Sequence, residues 1–137
     1  MRQPMMLIAL SALGACASPL PPVDPKQAWV ELSTITPGRV LMADRLDGQR
    51  LEDGRYFQVT PGKHELVVRF DYEIYGGGIM SQPRDRTCYL TVRYDNFKAG
   101  ERYRLEARAP VMEPQVLLYD ASRKVVVNEP SNVFCIP

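Results

Sequence analysis

Apolar and polar positions alternate along most of this chain. Between residues 63 and 72, His64, Leu66, Val68, Phe70 and Tyr72 are interleaved with Lys63, Glu65, Val67, Arg69 and Asp71. A period of two with one charged face is the mark of a half-buried strand. The period returns over 87–95, where Cys88, Leu90, Val92 and Tyr94 share a face, and over 102–109, with Tyr103, Leu105, Ala107 and Ala109. Shorter runs predict strands at 29–34, 39–46, 55–60, 115–120 and 124–128. No stretch keeps a 3.6-residue period long enough for a helix, and Asp24 or Ser131 caps at most one helical turn.

Turn chemistry punctuates these runs. Asp47-Gly48 and Asp53-Gly54 offer positive-φ positions, and Pro61-Gly62 and Ala99-Gly100 precede strands. Short strands joined by such turns predict an all-β fold, an antiparallel β-sandwich of about seven to eight strands with one solvated face per sheet.

The start of the chain breaks the pattern. Arg2 precedes an apolar run, Met5 to Leu10, and then the small residues Ser11, Ala12, Gly14 and Ala15. That order is a secretory signal, and the run is short of the roughly 20 residues that a permanent span needs. Leu13-Gly14-Ala15-Cys16 resembles the lipobox of bacterial lipoproteins. The resemblance implies cleavage before Cys16, acylation of Cys16, and, with Ala17 following, transfer to the periplasmic face of the outer membrane. Several acyl chains on one residue anchor a protein firmly, at about 0.8 kcal/mol per buried methylene. Pro19, Pro21, Pro22 and Pro25 then predict a stiff tether that stands the domain off the bilayer. The organisation expected is a signal at 1–15, a lipidated tether at 16–26 and the sandwich at 27–137.

With residues 1–15 removed, Arg2 goes and no acid goes with it, so the formal charge falls from +1 to zero. Nothing here argues for nucleic acid as a partner. If Cys16 carries lipid, Cys88 and Cys135 are the pair left over. In an oxidising compartment they most simply form one disulfide, tying the segment 132–135 to an inner strand. Two free thiols or a redox pair are the rivals, though no Cys-x-x-Cys is present.

A second resemblance lies in Asp47-Gly48, Gly54 and the run Val59-Thr60-Pro61-Gly62-Lys63-His64-Glu65-Leu66-Val67-Val68. It is similar to the PEGA-type β-sandwich module of bacterial envelope proteins, which couples an Asp-Gly turn to a Pro-Gly-Lys-His hairpin. The likeness covers residues 39–70 and ends after Tyr72. It implies a shape akin to immunoglobulin- and transthyretin-like sandwiches, and an accessory or interaction role.

Catalytic chemistry has little to stand on. His64, the single histidine, falls on an apolar strand face and reads as a packed or turn-bonding residue. No Gly-x-Ser-x-Gly elbow exists. Glu52/Asp53 and Asp71/Glu73 read as turn and solvated-face carboxylates. No catalytic residue, metal ligand or cofactor is assigned. The unusual stretch is 72–86, with Gly76, Gly77 and Gly78 in succession but no phosphate-loop continuation. Its candidate binding residues are Tyr75, Gly76, Gly77, Gly78, Ile79, Met80 and Arg84, against the plainer reading of a flexible connector. Arg102, Arg104 and Arg108, with Arg93 beside them, read as a salt-bridged face. Together these features predict a non-enzymatic envelope interaction module with a protein partner. The alternative is a module that binds peptidoglycan or lipopolysaccharide through aromatics such as Tyr75 and Tyr89.

Overall fold

The computed structural model describes residues 18–76 and 82–136. Cys16, Gly77, Gly78, Ile79 and Met80 lie outside the described residues. Ten strands appear among the rest: β1 (Ala28–Thr34), β2 (Val40–Leu46), β3 (Gln49–Arg50), β4 (Tyr56–Val59), β5 (Gly62–Ile74), β6 (Arg84–Phe97), β7 (Arg102–Arg108), β8 (Gln115–Tyr119), β9 (Val125–Val127) and β10 (Asn132–Ile136). They form two five-stranded sheets, A in the order β4-β1-β7-β8-β9 and B in the order β10-β6-β5-β2-β3. The all-β sandwich expected from the alternation is the architecture observed. It has two strands more than the pattern showed, because β3 is too short to alternate and β10 has no polar face.

One pairing departs from the antiparallel expectation. β1 and β7 run parallel, in register from Trp29↔Arg102 to Thr34↔Ala107. The chain leaves sheet A after β1 and again after β4, and the turn after β6 returns it to sheet A in the direction of β1. That turn is closed by a buried hydroxyl. Tyr103 accepts a hydrogen bond from the Lys98 amide at 3.0 Å and donates to Glu101 at 3.3 Å. Burial pushes the Tyr103 phenol up to about 12.

Both sheets turn their apolar rows inward. Val30, Phe57, Leu66, Val68, Phe70, Leu90, Val92, Leu105 and Leu118 are all but inaccessible to water. Each such side chain contributes about 1.5–3 kcal/mol relative to exposure. Gly48 and Gly100 adopt the positive φ their turns require, at 80° and 77°. Gly54 does not, contrary to its expected role. A Cβ there would meet Met42 Cε at 3.0 Å and the Ala43 carbonyl at 3.2 Å, so this glycine permits close approach of two chain segments.

β5 and β6 pair from Gly62↔Phe97 to Ile74↔Arg84. Residues 72–74 and 84–86, expected in the long loop, are therefore strand. Arg84 and Arg86 sit opposite Ile74 and Tyr72, where alternation calls for apolar residues, and that substitution hid the extension.

Cys88 and Cys135 face each other across β6 and β10 and form a disulfide, with Cα atoms 4.0 Å apart. The closed loop spans 47 positions, for which the chain-entropy model gives roughly 4 kcal/mol.

Strand directions give the molecule two ends. At the root, β1 begins, the β4–β5, β6–β7 and β8–β9 turns close, and Lys26, Lys63, Lys98 and Lys124, all the lysines of the chain, are found. At the crown lie the segments 35–39 and 109–114, with Tyr75, Gly76, Gln82 and Pro83 at the facing ends of β5 and β6. The proline-rich segment is not a free spacer over its described part. Arg55 holds Asp53 through Nε and Nη2, at 2.9 and 2.7 Å, and donates from Nη1 to the Ser18 carbonyl at 2.7 Å. The chain from Ser18 to Lys26 is thereby strapped along the β4 flank.

Candidate functional site

The crown gathers exposed apolar side chains. Tyr75 is 61% exposed, Ile35 55%, Val111 91% and Met112 40%. β5 delivers Tyr75 to this end, and the 3-10 turn Pro110–Met112 meets it there. The Tyr75 amide donates to Met112 Sδ at 3.2 Å, and the Tyr72 hydroxyl donates to the Met112 carbonyl at 3.1 Å. The Tyr75 hydroxyl donates to Glu73 at 3.1 Å.

Two residues of this turn are strained. Val111 and Met112 adopt φ values of 49° and 64°, in the left-handed region that a β-branched residue almost never occupies. Such a conformation costs about 1–3 kcal/mol per residue and clusters at functional sites. At Val111 the strain directs an apolar side chain into water.

Beside the turn, residues 36–40 and the β5–β6 pair border a depression of about 570 Å³, whose lining includes Tyr72, Tyr75 and the carboxylates of Asp71, Glu73 and Asp85. Arg39 is half-buried here, its guanidinium 5.7 Å from the centre of the Tyr72 ring. Its Nη1 is buried without an acceptor. Burial, first of all, raises the Tyr72 phenol above its ordinary value.

Of the candidate loop residues, Tyr75 and Gly76 are at the crown, while Arg84 opens β6 opposite Ile74. Tyr75 and Tyr89, paired in the glycan-binding expectation, are not brought together. They are about 20 Å apart along β6, and Tyr89 lies on the outer face of sheet B opposite Phe134. Sequence reasoning missed Ile35, Arg39, Val111 and Met112. Ile35, Val111 and Met112 sit in short connections with no period, Arg39 falls just before β2 instead of opening the strand expected at 39–46, and only the sheet order shows that these connections meet.

His64 bonds to two turns, in keeping with the turn-bonding reading of its sequence. Its Nδ1 meets Asp47 Oδ2 at 2.5 Å, and its Nε2 meets the Thr60 carbonyl at 2.7 Å and hydroxyl at 3.1 Å. The order resembles a catalytic relay, but Nε2 is occupied by the carbonyl and is not free to take the hydroxyl's proton. Both strong bonds exist together when both ring nitrogens carry hydrogen. Asp47 Oδ1 also accepts the Glu65 amide at 2.8 Å. Burial raises the Asp47 carboxyl, but the Glu65 and His64 bonds outweigh it and hold the group below its ordinary 3.8. The cluster ties the β2–β3 turn to the start of β5.

The arginine row is divided between faces. Arg93 belongs to sheet B and pairs with Glu65 at 2.7 Å. Arg104 lies 4.7 Å from the Tyr119 ring centre and 3.7 Å from Glu106, and Arg108 donates to Gln115. Among the described residues no three potential metal ligands converge. No family model, curated protein or solved structure matches the chain.

Proposed function

We propose that this chain is a lipid-anchored protein of the bacterial outer membrane, facing the periplasm, and that its sandwich is a non-enzymatic interaction module of PEGA-like kind. The binding end is the crown. The observation that carries this reading is Val111, an almost fully exposed valine held in a left-handed conformation beside Tyr75 and Met112. Folding gains nothing from that arrangement, whereas a partner that covers these side chains recovers their apolar burial. The lipobox and the signal-like start support the location, and the Asp47-Gly48 and Pro61-Gly62-Lys63-His64 turns support the PEGA-like kinship.

Site-specific photocrosslinking in intact cells tests the reading. A crosslinker at position 75 or 111 is expected to trap one discrete partner that the same group at position 98 or 124 does not. Equal trapping at both ends, or none at the crown, overturns the assignment.

A further inference from the structure

A second surface lies on the outer face of sheet B, away from the crown. The disulfide sets Cys135 opposite Cys88, which fixes Phe134 opposite Tyr89 one step along. Phe134 is 61% exposed and Tyr89 is half-buried beside it on the adjacent strand, so two aromatic residues share one outward-facing stretch of the sheet. At the other side of the sheet, the register shift between Ala43 and Arg45 aims Arg45 outward opposite Val67, as bulges do. The Asp47-Gly48 turn then sets Arg50 opposite Arg45. Like charges directly opposed across a ladder are destabilising. Arg45 has one ion pair, to Asp44 at 3.6 Å, and Arg50 has none among the described residues.

These groups border one depression of about 340 Å³, floored by Val67 and Thr91, with Asn132 beside Phe134. It crosses four strand spacings, about 19 Å. We propose that this surface binds an acidic oligosaccharide. A sugar ring stacks its apolar face on Tyr89 and Phe134, Asn132, Thr91 and Asp44 meet ring hydroxyls, and the Arg45–Arg50 pair takes carboxylates bidentately. The facing cations have their counter-charge when such a ligand is bound. The Asp44 carboxylate disfavours the dense phosphates of a nucleic acid strand, the other polymer that pairs stacking with cations. This proposal does not depend on the crown's partner.

The test uses the full-length chain in detergent, titrated with a hyaluronan tetrasaccharide and with chitotetraose, a neutral chain of equal length. The acidic chain is expected to bind and to shift the Tyr89 and Phe134 ring resonances, with chitotetraose weaker by about tenfold. Arg50→Gln and Phe134→Ala, both at exposed positions, are each expected to weaken binding by about tenfold, with far-ultraviolet circular dichroism unchanged. Arg102→Gln, on the other sheet, binds as the parent does. Absence of binding, equal affinity for the two saccharides, tighter binding of an oligothymidylate, or indifference to both substitutions overturns the proposal.

Discussion

Asp47 does three jobs within one turn: it takes a positive φ, accepts the Glu65 amide and holds the His64 ring. Its carboxyl titrates below the unfolded value, so the stability it adds is fully present above a pH of about 4 and is lost as pH falls through the folded value. Parent and Asp47→Asn proteins are therefore expected to differ in thermal midpoint at pH 6, and the difference is expected to shrink on titration below pH 4. Half-exposure of this side chain keeps the effect small. Val111 leads to the opposite result. Glycine adopts φ 49° without steric penalty, so Val111→Gly is expected to keep or raise the thermal midpoint while abolishing crosslinking from position 75. A marked loss of stability would show that Val111 packs after all.

Among the elements, β10 depends most on a single bond. It is an edge strand whose residues are exposed apart from the half-buried Cys135, and apolar burial alone holds it weakly. The double substitution Cys88→Ala and Cys135→Ala is expected to cost about 2–4 kcal/mol and to speed amide exchange over 132–136 before the rest of sheet B. Uniform acceleration across the sheet is the contrary result. β5, β6 and β7 were legible in the sequence because each buries one face and wets the other. β10 was legible only through its cysteine. β3 and the parallel partnership of β1 with β7 were not legible, since two residues carry no period and local pattern is blind to strand direction. At the candidate sites, Tyr75 and Tyr89 stood out by residue type. Arg39, Val111 and Phe134 acquire meaning only through neighbours distant in sequence.

At the scale of the whole molecule, the lysines mark one end and the exposed Ile35, Tyr75, Val111 and Met112 the other, while the N-terminal segment leaves along the β4 flank. Cys16→Ala is expected to release the protein from the membrane fraction with its sandwich intact, because the described part of the tether, residues 18–26, contributes no side chain to the core. Retention after a high-salt wash contradicts the lipid anchor.

The strap made by Arg55 also sets a height. Cys16 stands two positions before Ser18, at most about 7 Å of chain, so an acylated Cys16 keeps the β4 flank almost in touch with the bilayer while Arg55 grips the Ser18 carbonyl. Once that grip opens, the chain from Cys16 to Ala28 extends to about 40 Å, and the domain swings free over a hemisphere of that radius. Under the proposed anchoring at Cys16, one guanidinium, steadied by Asp53, separates a domain held against a bilayer from one that can search across the space above it.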